Sequence, residues 1–270
     1  MSPIRSTLRI RAAGALLSLG LLLGCSSQAA SGTATPAAES TAAALSHSAA
    51  PTPTASPAAP ETASAVTPAA PAGLTSQFPL KGIAGSVIVD SLNEKGTIRA
   101  RSAAGQGELL MIASGPEERG HLNVPSNDGL EGDQTYQADY SIVYREGKQD
   151  QVLLKLPAFL FVQPSDRVLE FAAVSFKGAE VYLLAPQYKS GHGLVAYAFA
   201  MDKGSGEVFP LSFKQGEYVH DTLVYSEIQP APANQNEQLA VHSPEGAGTD
   251  PELKPQMYEL DLDKRQFVAQ

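Results

Sequence analysis

Tyr136-Gln137-Ala138-Asp139-Tyr140-Ser141-Ile142-Val143-Tyr144-Arg145 is the stretch that decides the fold class. Apolar residues at 136, 138, 140, 142 and 144 alternate with mostly polar ones, the two-residue period of a half-buried β-strand with an aromatic inner face. Glu146-Gly147-Lys148 then turns the chain. Val152-Leu153-Leu154-Lys155-Leu156 returns it as a second strand, which Pro157 is expected to end because proline cannot donate to a ladder.

The same pattern continues downstream. Val168 to Phe176, Lys177-Gly178 and Glu180 to Ala185 predict a tight hairpin, and Leu194 to Met201, Asp202 to Gly206 and Glu207 to Phe213 predict another. Near the end, Tyr258, Leu260 and Leu262 alternate with Glu259, Asp261 and Asp263. No window in this region shows a capped helical period, though a helical turn near Ser165–Val168 or Tyr218–Tyr225 is allowed. Glu180-Val181-Tyr182-Leu183-Leu184 leads through a glycine-rich loop to Tyr197-Ala198-Phe199-Ala200-Met201-Asp202-Lys203. Gln238-Leu239-Ala240-Val241 leads through another to Tyr258-Glu259-Leu260-Asp261-Leu262-Asp263-Lys264, a faint internal echo. The expectation is an all-β domain, residues 73–270, built as an antiparallel meander or β-sandwich. An incomplete propeller-like stack is the alternative that the echo suggests.

Upstream the composition changes. Arg5, Arg9 and Arg11 precede an apolar run from Ala12 to Leu23, too short for a transmembrane helix but the length of a signal-peptide core. The run closes on Leu22-Leu23-Gly24-Cys25, and Cys25 is the single cysteine of the chain. These residues resemble the lipobox of bacterial lipoproteins; the alternative is an ordinary secretory signal cut near Ser27-Gln28-Ala29. The resemblance implies a signal peptide over 1–24, a diacylglyceryl group on the Cys25 sulfur, and a protein held on the outer face of a bacterial membrane. Two acyl chains hold stably where one holds only reversibly. A chain with no second cysteine forms no internal disulfide and offers no cysteine nucleophile beyond the anchor.

Residues 25–72 are nearly all Ala, Ser, Thr and Pro, with Glu39 and Glu61 as their charges. Such a segment has too little apolar surface to offset the entropy of ordering, and its prolines break every helical window, so a disordered tether is expected. From Gln77 onward, 16 Lys and Arg stand against 26 Asp and Glu. That balance excludes nucleic-acid binding through a basic face.

The sequence carries few signs of chemistry. It lacks Gly-x-Ser-x-Gly, Ser-x-x-Lys, His-Glu-x-x-His and the phosphate-binding loop. Lys189-Ser190-Gly191-His192-Gly193 sets Lys189, Ser190 and His192 together, the raw material of nucleophilic catalysis, but reads more simply as a polar hairpin loop. Two acidic, glycine-bearing loops supply oxygen ligands for a weak calcium site, Asp128, Glu131 and Asp133 in one and Asp250 in the other. Neither has the EF-hand spacing, and ordinary turn chemistry is the simpler account; no other cofactor is expected. Glu259, Asp261 and Asp263 are read as the wet face of an edge strand, and Tyr136, Tyr140 and Tyr144 as core. The functional expectation is a lipid-anchored envelope protein with a non-catalytic binding module for a wall polymer, a small ligand or another envelope protein. An envelope hydrolase and a purely structural or stress-related envelope protein are the alternatives.

Overall fold

The computed structural model describes residues 73–79, 82–244 and 254–270. A 3-10 turn, Gly82–Ser86, opens the folded part. Sixteen strands follow: β1 (Val87–Asn93), β2 (Ile98–Ala104), β3 (Gly107–Ala113), β4 (Glu117–Leu122), β5 (Gln134–Glu146), β6 (Gln149–Gln163), β7 (Ala172–Ser175), β8 (Ala179–Leu184), β9 (Leu194–Asp202) and β10 (Val208–Gln215), then β11 (Tyr218–His220), β12 (Leu223–Tyr225), β13 (Ala233–Gln235), β14 (Gln238–Val241), β15 (Gln256–Asp261) and β16 (Gln266–Ala269). Among the described residues there is no α-helix. Both allowed helical turns are absent: Ser165–Val168 lies in a bend, and Tyr218–Tyr225 forms the short strands β11 and β12.

β5 organises the first sheet. One of its edges pairs with β6 from Gln134↔Gln163 to Glu146↔Gln149. Its other edge is shared, β4 taking residues 134–137 and β3 taking 140–145. With β1 outside β4 and β2 outside β3, the sheet curls into a half-barrel. Pro157 does not end β6. At this point Asp139 alone faces the pair Pro157-Ala158, a bulge at which no ladder donor is required of the proline. Ala158 takes φ 48°, and its N–H donates to Asp139 Oδ1 at 2.7 Å.

The second sheet runs β13-β14-β15-β16-β10-β9-β8-β7, with β11 and β12 added to β10 and β9. Its ends approach each other: Asn234 Nδ2 donates to Ser175 O at 2.6 Å and Lys177 N–H to Glu237 Oε2 at 2.7 Å. The sheet is thus a nearly closed barrel. The sequence echo is real as topology, since β8-β9-β10 and β14-β15-β16 are two meanders meeting where β10 runs parallel to β16. The result is curled sheets, not propeller blades. β15 is paired on both sides, by β14 and β16, so it is not the edge strand expected from its acidic residues.

Two cores follow from the alternation of side chains. Ala179, Val181 and Leu183 of β8 and Ala198 and Ala200 of β9 face the barrel interior, with Phe209, Phe213, Tyr258 and Phe267. Tyr182, Leu184 and Phe199 point the other way, into a core with Tyr136, Tyr140, Ile142 and Phe161 of the first sheet. β8 and β9 are therefore covered on both faces, which is why they read as nearly unbroken apolar runs. The alanines of the barrel face leave room for the Phe213 and Phe267 rings, stacked with centroids 5.5 Å apart.

Candidate functional site

The connection from β6 to β7 and the loop from β8 to β9 border a cleft of ≈ 500 Å³ at the seam between the two sheets. That is within the roughly 300–1,000 Å³ usual for small-molecule sites. Gln163, at the end of β6, lines it together with Arg167, Glu170, Tyr188 and Tyr225. Gln163 is 2% exposed; its Nε2 donates to Pro186 O at 2.5 Å, and its Oε1 accepts from nothing. A buried acceptor left without a donor costs about 1–3 kcal/mol. Structures keep such groups rarely, where strain is held or an ordered water or ion completes them. Arg167 and Glu170 are exposed at this cleft, one charge of each sign.

The cleft wall is assembled by the two loops that the sequence marks out. Gln187 Nε2 donates to Asp128 O at 2.5 Å and to Lys189 O at 2.7 Å, while its Oε1 accepts from Val162 N–H at 2.8 Å. Tyr188 OH donates to Asp133 Oδ2 at 2.5 Å, and the same oxygen accepts from Leu130 N–H at 2.7 Å. Burial, and then this bond to Asp133, push the Tyr188 hydroxyl up to about 12, so it remains a donor at neutral pH. Gly193 lets the loop close against β12. It has φ 91°, and a Cβ there would overlap Pro244 Cγ and lie 2.8 Å from Tyr225 O.

Ser190 closes the loop. Its hydroxyl donates to Gly193 O at 2.5 Å and accepts from His192 N–H at 3.1 Å, and its own N–H donates to Glu227 Oε2 at 2.8 Å. The His192 ring is exposed and makes no hydrogen bond among the described residues; Lys189 contributes its carbonyl oxygen to Gln187. The structure therefore places Lys189, Ser190 and His192 in a turn between the cleft residues Tyr188 and Leu194, and among the described residues no acid orients the His192 imidazole. Asp128 and Asp133 flank the same wall, while Glu131 is exposed. No three His, Cys, Asp or Glu side chains group to hold a metal ion among the described residues. Asp250 and Cys25 lie outside the described residues. Of the acidic row, Asp261 Oδ1 accepts from Lys264 N–H at 3.0 Å, and Asp263 falls in the turn beyond β15.

A second polar cluster gave no sign in the sequence. Glu117 is 0% exposed, gripped by Arg99, Asn93 Nδ2 at 2.7 Å and Tyr140 OH at 2.5 Å. Arg99 also donates to Asp166 Oδ1 at 2.7 Å and stacks 3.8 Å over the Tyr136 ring. Arg119 Nη1 lies 3.1 Å from Asp166 Oδ2, so two cations meet two anions. Each oxygen of Glu117 has two donors, and this closed set of partners is what a structural network needs. The residues come from β1, β2, β4, β5 and the β6–β7 connection, at separations no local pattern reveals. Gln163 was missed for the same reason: an amide ending a strand differs from its neighbours only through burial.

No protein-family model, curated protein or solved structure matches this chain.

Proposed function

We propose that this chain is a lipid-anchored protein of a bacterial envelope whose β-domain is a non-catalytic binding module, with its ligand seated in the cleft between the two sheets. The observation that carries the reading is the cleft itself, of small-molecule size and lined by the exposed Arg167 and Glu170 beside Tyr188 and Tyr225. A binding role accords with Ser190, whose hydroxyl is spent on Gly193 O in shaping the loop. The anchoring part rests on Leu22-Leu23-Gly24-Cys25 and on the Ala/Ser/Thr/Pro tether that follows. Flexible-chain scaling gives such a tether of some 50 residues a span of about 40 Å, lengthened by its prolines. The folded part would then reach from the membrane into the surrounding wall or periplasm.

The test is fractionation of bacteria fed a labelled fatty acid. The native chain is expected in the membrane fraction and acylated, and Cys25→Ser unlabelled and released. A native chain that carries no label and is found free of the membrane overturns the anchor.

A further inference from the structure

We propose that residues 74–78 form a latch at the root of the tether, clasped by Glu118 and able to open as a unit while the first sheet stays folded. Leu74 N–H donates to Val89 O at 2.8 Å, which lays the segment along the outer edge of β1. Gly73 permits this close approach, since a Cβ there would lie 2.8 Å from Ile88 Cγ2 and 3.0 Å from Val89 O. Further on, Ser76 Oγ donates to Glu118 Oε2 at 2.7 Å and Gln77 N–H to Glu118 Oε1 at 2.6 Å. Both oxygens of one carboxylate on β4 thus hold the segment, and Phe78 N–H closes the turn on Ser76 Oγ at 3.1 Å. Glu118 is 3% exposed. Hydrogen bonds to an ionised acceptor are the stronger kind, and a carboxylate withdrawn from water is costly without its donors. Glu118 is therefore the main fastening, and the bridge at Leu74 the lesser one.

The latch is releasable because apolar burial adds little to these bonds. Leu74 is 52% exposed, and Ser76 and Phe78 are only half-buried. The chain beyond is fixed independently: Ala84 of the 3-10 turn is buried, and Ser86 O accepts from Asn123 N–H at 2.9 Å. Gly82, at φ 56°, supplies the hinge between the two. Segments held by a few exposed bonds open at lower free energy than core strands do. Opening adds residues 73–81 to the tether, up to about 30 Å of chain at roughly 3.4 Å per residue, and bares the edge of β1 at Val89. That use rests on the reading of residues 25–72 as a tether; the latch itself does not.

The test is amide hydrogen exchange of the full chain in detergent, read residue by residue by NMR. In the native chain the protection factors of Leu74 and Gln77 are expected to agree within about threefold. Both should lie at least a hundredfold below that of Leu122, whose N–H donates to Asp133 O within the first sheet. Glu118→Leu is expected to lower the protection of Leu74 at least tenfold, although Glu118 makes no hydrogen bond to it, and to leave Leu122 unchanged. Ser76→Ala should shift Leu74 and Gln77 together by a smaller factor, and Glu118→Gln, which keeps an acceptor, should restore most of the protection. Should Glu118→Leu not fold, the native chain and Ser76→Ala decide the matter. Leu74 that keeps its protection in Glu118→Leu or in Ser76→Ala, or that opens in the native chain only together with Leu122, overturns the proposal. The same pattern is expected in Cys25→Ser, so a failed anchor and a failed latch are told apart.

Discussion

Arg99 holds both carboxylate oxygens of Glu117, with Nε 2.8 Å from Oε2 and Nη2 2.5 Å from Oε1, and Glu117 is wholly withdrawn from solvent. Burial alone would lower the pKa of Arg99, but the bonds to Glu117 and its charge outweigh it and hold the guanidinium firmly protonated. Breaking one side of such a pair leaves an uncompensated buried charge, at a cost of about 3–5 kcal/mol. Glu117→Gln is therefore expected to lower the urea-unfolding free energy by an amount in that range. Arg99→Met combined with Glu117→Leu is expected to cost less than the two single changes added together. Additive losses would contradict the coupling.

Tyr140 and Tyr136 give an alkaline signature. Burial, followed by the charge of Glu117, raises Tyr140 far above an ordinary phenol; burial and the bond to Asp166 push Tyr136 up to about 12. Because folding raises both values, the stability tied to their protons is complete below pH about 10, the unfolded value, and is lost as pH climbs through the folded ones. Tyrosinate absorbance should show these two phenols titrating late, Tyr140 only as the β signal in circular dichroism collapses. Titration of all tyrosines together near pH 10, with the fold intact, would contradict this.

Asp166 acts in the opposite direction. Burial would raise its carboxyl, but hydrogen bonds from Arg99 and Tyr136 outweigh it and hold it below the usual carboxylate range. Its contribution is present above the unfolded value, about 3.9, and is lost as pH falls through the folded one. With its side chain 41% exposed the effect is small. Asp166→Asn should flatten the dependence of Tm on pH below 4 relative to the native chain.

The loop wall depends on Tyr188 and Gly193. Tyr188→Phe leaves Asp133 with one donor fewer and should cost about 1 kcal/mol, with faster amide exchange at Ser190 and His192 as the local readout. Gly193→Ala, which forces a side chain against Pro244 at positive φ, should cost more than Tyr188→Phe. The reverse order, read by chemical denaturation, would show that the loop is not held against β12.

Much of the fold was legible in the sequence, because strand periodicity is local. Tyr136 to Tyr144 revealed β5 and its buried face, and Lys177-Gly178 and Asp202 to Gly206 revealed two hairpins. What was not legible was long-range. Pro157 looked like a strand end, but opposite Asp139 it is a bulge, and only the partner strand shows this. Glu259 and Asp261 looked like an edge because acids mark edges, yet β15 has a neighbour on each side. At the site, Asp133 and the Ser190 loop stood out by composition, and the structure joins them through Tyr188, whereas Gln163 and Glu117 became conspicuous only once burial was known.

The most direct test of the central claim, that the cleft is where this protein engages its ligand, is photocrosslinking on intact cells. A photoreactive residue is placed at Val168, which lines the cleft and is exposed, and in a second variant at Lys95, in the turn between β1 and β2. A discrete adduct is expected from position 168 and none from 95. Equal labelling from both positions, or none from 168 in a chain that is folded and membrane-bound, would contradict it.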